Sequence, residues 1–233
     1  LLSDHPNDCM VCIQAGQCSL QELAYRYGIR ENRFKGAVRQ HNRVDNNPFV
    51  MREQDKCVLC GLCVRVCDEV QGVGAIGFAN RGFGTDICPP FKKDLDCEFC
   101  GQCISVCPTG ALSAKMWAGQ PRLEQTRSTE TTCTYCGCGC NLTLHTSGDK
   151  VARVTSRPDN HNRGWLCVKG RFGYEFIASP ERLATPLIRR QKGGPLEPAG
   201  WDEALDLVAS RLTAIKDEYG ADAVGGLASA RCT

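Results

Sequence analysis

The sequence predicts an α+β chain of small, loop-rich domains. Three observations carry that prediction. The 233 residues include 18 cysteines and 24 glycines but only 7% aromatic residues, so part of the core is expected to be something other than side chains. Most of the cysteines fall into four compact groups separated by glycine-punctuated stretches. Regular patterning is confined to brief runs: an alternation such as "NLTLHT" or "KVARVTS", and one helical period near the C-terminal end.

Cysteine at this density marks either a small secreted disulfide scaffold or a protein built around metal. The chain is long for the first and shows no basic start followed by an apolar run and a small-residue cleavage site. Its apolar runs are too short to span a membrane. A formal net charge of +2, with no long run of either sign, leaves no electrostatic footprint for nucleic acid. The chain opens "LLSDHPND" rather than with methionine, from which we expect a piece of a longer protein cut at both ends.

The first group, "HPNDCMVCIQAGQC", offers His5, Cys9, Cys12 and Cys18. Three cysteines leave one corner of a four-iron cube open, and a neutral imidazole can fill it, giving a cluster that is easier to reduce than an all-thiolate one. "SLQELAYRYG" follows, where Ser19 and Glu22 form a capping-box pattern and Leu20, Leu23, Ala24 and Tyr27 give an apolar face. A short helix ending at Gly28 is expected there.

The second and third groups are a repeat. Cys57, Cys60, Cys63 and Cys67 have the spacing C-x2-C-x2-C-x3-C, and Cys97, Cys100, Cys103 and Cys107 have it again. Three sulfurs at successive x2 steps wrap one cube, and the fourth points away to serve the other. The expected sets are therefore Cys57, Cys60, Cys63 with Cys107, and Cys97, Cys100, Cys103 with Cys67. "CPTG" after the second run matches the ferredoxin ending, whereas Asp68 replaces the proline after Cys67. Zinc is the competing occupant, but zinc sites pair two C-x2-C knuckles and seldom offer three cysteines in a row. The glycine-rich stretch between the runs reads as a β-hairpin holding Cys88, a free and buried thiol without a partner at ligand spacing.

The fourth group, "CTYCGCGC", begins with Cys133 and Cys136, and its third sulfur is Cys138 or Cys140. Cys167 stands alone in "GWLCVKGRFG". Beyond it, Asp202 and Glu203 suit a helix start, Ala204, Leu205, Val208, Leu212 and Ile215 recur at helical spacing, Gly220 ends the helix, and "AVGGLAS" reads as a strand.

These motifs match known families. His5 with Cys9, Cys12 and Cys18 resembles the one-histidine, three-cysteine cluster site of the large iron–sulfur subunit of respiratory complex I, shared by NAD-linked formate dehydrogenase α subunits and NAD-linked [FeFe]-hydrogenases. Both complete middle runs resemble the latter two. Residues 131–190, with "LCVKGRFGYEF" and "RLATPLIR", resemble the iron–sulfur segment of molybdopterin oxidoreductases, which the hydrogenases lack. The resemblance implies that Cys133, Cys136, Cys140 and Cys167 ligate a cluster and that Lys169 lies between it and a pterin. With Gly137 and Gly139 letting the backbone curl, Cys140 is the expected third sulfur, and Cys138 a small hydrophobe near the cluster.

The chain is thereby identified as resembling the N-terminal iron–sulfur region of an NAD-linked molybdenum or tungsten formate dehydrogenase α subunit. The resemblance implies four domains: 1–45 with the histidine-ligated cluster, 46–120 ferredoxin-like with two clusters, 128–190 of the molybdopterin-oxidoreductase [4Fe–4S] type, and 191–233 the start of an α/β molybdopterin domain. It implies four [4Fe–4S] clusters here. In the complete protein it implies a molybdenum or tungsten bis-pterin guanine dinucleotide, a preceding [2Fe–2S] cluster, flavin- and NAD-binding and iron–sulfur partner subunits, no nucleic acid, no membrane span, and a cytoplasmic location. No catalytic acid, base or nucleophile is expected in this stretch, and Cys232 is not assigned to the metal. The alternatives are a complex I-type subunit, another molybdopterin oxidoreductase, and a structural zinc module.

Overall fold

The computed structural model describes residues 1–41 and 46–228. They form the mixed α+β architecture of small, loop-rich domains, divided into two compact units, Leu1–Glu175 and Phe176–Thr233. Among the described residues no helix is long and apolar enough to cross a membrane.

The first unit opens with the loop of His5, Cys9 and Cys12 and then helix α1 (Ser19–Arg26). The helix is where its periodicity put it, but the capping box is not formed. Cys18 is the N-cap and makes no side-chain cap, because the helix starts one residue earlier than the pattern requires. The Ser19 N–H instead donates to the Pro108 carbonyl at 2.9 Å, tying this helix to the loop after Cys107. Leu20 is buried, while Leu23 and Tyr27 stay exposed.

Strand β1 (Val50–Arg52) pairs antiparallel with β4 (Leu112–Ala114), with Met51 opposite Ser113, and all six residues are buried. This ladder joins the two ends of the region that carries the repeated runs. Asn47 fixes its entry: its side-chain oxygen accepts from the N–H groups of Phe49 and Val50, and its amide donates to the Leu95 carbonyl. Between these strands lie α2 (Leu62–Arg65), continued by a π turn, the expected hairpin of β2 (Gly77–Ala79) and β3 (Asp86–Cys88), and α3 (Gln102–Ser105). Cys88 is buried, with a free thiol.

A three-stranded antiparallel sheet follows, β5 (Arg127–Thr132), β6 (Asn141–Ser147) and β7 (Lys150–Thr155), with β6 central. Short helix α4 (Val168–Phe172) begins directly after Cys167. Two apolar clusters hold the unit. One gathers Val50, Ile76, Ile87, Ile104, Leu112 and Trp117 with Phe172 of α4, and the other gathers Leu142, Val154, Leu166 and Tyr174. The Phe172 ring stacks on Phe49 at 4.8 Å between centroids, and the Arg153 guanidinium lies 4.2 Å over Trp117. Cysteine sulfurs are part of both clusters, as a core short of aromatic side chains requires.

The second unit contains β8 (Leu187–Ile188) paired with β9 (Glu197–Pro198), and α5 (Trp201–Tyr219). Gly220, with φ of 87°, ends α5 as expected. The expected strand does not form over residues 224–228, which are irregular, and the remainder of that stretch with Cys232 lies outside the described residues.

Phe172 is 3% exposed and joins α4 to the cluster around the β1–β4 ladder. Phe172→Ala should lower stability by about 3–5 kcal/mol. A denaturant midpoint unchanged from wild type would show that the α4 anchor does not hold these two parts together.

Candidate metal centres

The two repeated runs fold into congruent loops. Leu59 and Phe99 take left-handed φ of 54° and 52°, and Gly61 and Gly101 both take 73°. Two left-handed residues turn each loop so that its three sulfurs face one volume. In each loop a backbone N–H is aimed at sulfur: Leu59 to Cys57 Sγ and Phe99 to Cys97 Sγ, both at 3.4 Å. A third, from Ala75, reaches Cys67 Sγ at 3.3 Å. Such donors favour thiolate over thiol.

The gathering of sulfurs is crossed. Burial pushes the Cys63 thiol up to about 12, and the neighbouring thiolates that push it further are Cys107, Cys57 and Cys60. Burial also raises Cys97 and Cys100, and both feel Cys67 of the other run. Cys103 is raised far more, by complete burial and then by Cys100, Cys63, Cys97 and Cys67. Cys107 therefore sits with the first loop and Cys67 with the second. Cys63 is among the sulfurs that raise Cys103, so the two loops approach each other there.

In the first group, burial raises Cys9, helped by Cys12 and Cys18. His5 is held neutral, its pKa lowered first by burial. Its Nδ1 accepts from the Asn7 N–H at 3.3 Å, and its Nε2 is buried without a hydrogen-bond partner. A cavity of about 250 Å³ is lined by His5, Cys9 and Cys18. Cys12 Sγ rests on Gly110, where a Cβ would come within 2.8 Å of it.

In the fourth group, burial raises Cys140, followed by Cys133, Cys138, Cys167 and Cys136. Cys140 and Cys133 pack against the Leu142–Leu166 cluster, and the Cys133 N–H donates to the Cys140 carbonyl at 2.8 Å. Cys138, expected as a small hydrophobe near the cluster, is exposed, as Cys60 and Cys167 are, and its sulfur is among those that act on Cys140. The Cys138 carbonyl lies 3.2 Å from His161 Nε2. Lys169 is exposed.

Among the described residues no group of three or more His, Cys, Asp or Glu side chains is arranged to hold a single metal ion. The spacing of the cysteines is instead that of four-iron clusters. The orphaned His5 nitrogen, the Gly110 cradle, the N–H···S donors and the 17 free cysteines among the described residues all fit such groups.

Family comparisons agree along the chain. Residues 1–33 match the NADH-ubiquinone oxidoreductase-G iron-sulfur binding region, and 47–113 match the ferredoxin-like domain of NADH-quinone oxidoreductase subunit 3. Residues 126–179 match the molybdopterin oxidoreductase Fe4S4 domain, and 182–233 match molybdopterin oxidoreductase. The chain matches the N-terminal iron–sulfur region of the NADH-quinone oxidoreductase G-like and molybdopterin oxidoreductase family. Four-iron clusters, not zinc, are what these matches describe. The chain is 38% identical over 234 residues to NADPH-Fe(3+) oxidoreductase subunit alpha of Geobacter sulfurreducens, covering 100% of this chain and 27% of that protein. It is 37% identical over 224 residues to the mitochondrial NADH-ubiquinone oxidoreductase 78 kDa subunit of Candida albicans, covering 94% and 31%. The chain thus spans about a quarter to a third of the length of these curated relatives.

Three cations near the cysteine groups, Lys56 and Arg171 buried and Arg39 half-buried, escaped the sequence reading. The Arg39 guanidinium pairs with Asp4 and donates to the Cys57 carbonyl at 3.0 Å. Lys56 bridges Glu53 at 2.5 Å and Asp8 at 3.3 Å; burial opposes its charge, but Glu53, Cys12 and Asp8 together hold its pKa above the usual value. Arg171 lies beside Cys100, Cys103 and Cys167. Basic residues adjoining cysteine motifs were the available signal, but burial decides which of them matter, and burial here is created by tertiary contacts.

Gly110→Ala should crowd Cys12 and reduce iron bound at the first group, leaving the other groups loaded. Unchanged iron per chain and an unchanged EPR spectrum would mean that the Cys12 sulfur does not depend on this cradle.

Proposed function

We propose that this chain is the electron relay of an oxidoreductase, built on four [4Fe–4S] clusters. The observation that carries it is that Cys107 neighbours Cys63 while Cys67 neighbours Cys103, with the cysteines of the first and fourth groups in the same compact unit. In this reading His5, Cys9, Cys12 and Cys18 hold one cluster. Cys57, Cys60, Cys63 and Cys107 hold the second, and Cys97, Cys100, Cys103 and Cys67 the third. Cys133, Cys136, Cys140 and Cys167 hold the fourth. Bound, such clusters supply one-electron storage and transfer; the chain ligates them, buries them, and sets their potentials by ligand type, N–H···S donors and nearby charge. The neutral His5 ligand makes the first site the less anionic, and the three all-thiolate sites the more so.

The complete protein would pass these electrons between flavin- and nicotinamide-binding partner subunits and a second redox site. The sequence resemblance supports formate as substrate at a molybdenum or tungsten bis-pterin centre, with Lys169 between that pterin and the fourth cluster. The names of the relatives support a second reading, oxidation of NADPH or NADH with iron(III) or a quinone as acceptor. Both use the same relay. With the full-length complex, bleaching of the clusters by formate supports the first and bleaching by NADH or NADPH alone supports the second.

The relay itself is tested by its crossed ligands. Cys107→Ala should abolish the signal that Cys60→Ala also abolishes, and Cys67→Ala the one lost in Cys100→Ala. If Cys107→Ala and Cys100→Ala remove the same EPR signal instead, each run holds its own cluster and the crossed arrangement is wrong.

A further inference from the structure

Arg171 is the largest fully buried side chain among the described residues, at 2% exposure, and electron transfer through the sulfur sets alone gives it no role. It stands on α4, four residues after Cys167. Its Nε donates to the Cys100 carbonyl and its Nη2 to Gln102 Oε1, both at 2.8 Å. Gln102, itself buried, donates back to the Leu166 carbonyl at 2.9 Å, next to Cys167. Two segments that each carry sulfur donors are therefore clipped in both directions. The close approach needs a glycine between Cys100 and Gln102, because a Cβ on Gly101 would overlap the Arg171 Cδ.

The charge on Arg171 is unusual in its surroundings. Arg39 is paired with Asp4, and Lys56 with Glu53 and Asp8. Among the described residues Arg171 forms no ion pair with a carboxylate. A buried cation is stable only with anions or hydrogen bonds around it. The negative groups that Arg171 faces are the sulfurs of Cys100, Cys103 and Cys167. Those belong to two different sets, the third and the fourth. The congruent loop of Cys57–Cys63 serves as an internal control: a Cβ on Gly61 there would come within 3.0 Å of the Phe78 ring, and Leu62 stands where Gln102 stands in the Cys97–Cys103 loop. The third set has a buried cation at this position and the second has an apolar ring.

We propose that Arg171 is the positioning residue of the hand-off between the third and fourth clusters. Its one uncompensated charge favours an added electron on either of them and holds their loops together. Through an interior of low effective dielectric, a positive charge shared by two anionic groups raises the reduction potential of both. Among the described residues Arg171 hydrogen-bonds to the third and fourth groups and not to the second, so the second cluster should feel it least. This rests on the four-cluster relay.

The test is a redox titration of the full-length holoprotein followed by EPR, with Cys100→Ala and Cys140→Ala identifying the two signals. Arg171→Gln should lower the midpoint potentials of both and leave the others in place. Arg171→Lys, which keeps the charge without the planar fork, should restore them to near the wild-type values. Retained iron with unchanged potentials, or a shift in only one signal, overturns the proposal. If the Gln variant loses iron at these sites, the Lys variant decides. Iron kept in both sites supports the charge, and iron lost as in the Gln variant makes Arg171 a structural clip and overturns the proposal. A wild-type protein without cubane signals would overturn the relay reading itself.

Discussion

The structure depends on a constraint of charge. Thiolates crowded in a low-dielectric interior repel one another, and without a cationic core they can be buried only as neutral thiols. Cys63 and Cys103 show it directly, with burial first and neighbouring sulfurs next pushing both well above the usual thiol range. A four-iron core reverses that balance by binding thiolate outright. Sulfur atoms and the groups they bind then take the place that aromatic side chains hold in ordinary cores. This accounts for short strands, abundant glycine and helices as short as four or five residues in the first unit.

The remaining charges are arranged around the same constraint. His5 lies beside the cysteines of the first group, its pKa lowered by burial and its Nε2 without a hydrogen-bond partner. N–H donors from Leu59, Phe99 and Ala75 point at sulfur. Arg39 and Lys56 bring cations to the first two groups but carry carboxylates with them, whereas Arg171 stands between the third and fourth without one.

Much of this was legible in the sequence because ligand spacing is a local property. Two residues between sulfurs dictate a tight loop, and the congruent turns at Leu59 and Gly61 and at Phe99 and Gly101 follow from that repeat. The β2–β3 and β6–β7 hairpins and α5 were equally local. What was not legible is non-local. The β1–β4 ladder joins residues 50–52 to 112–114, and each strand is too short to show alternation. The capping box at Ser19 failed because a hydrogen bond to Pro108, distant in sequence, competes for the helix start. The contact of the Cys138 carbonyl with His161 is likewise non-local. Arg171 resembled any basic residue in "VKGRF" until α4 packed it against Cys100.

The central claim is that four cube-sized sulfur sets organise this chain, and the amount of iron it holds tests that most directly. Iron and acid-labile sulfide measured per mole of well-folded chain should each come to about sixteen, four for each cubane. Values near eight, with the fold intact, would mean that two of the four sets bind nothing and that the relay is not continuous.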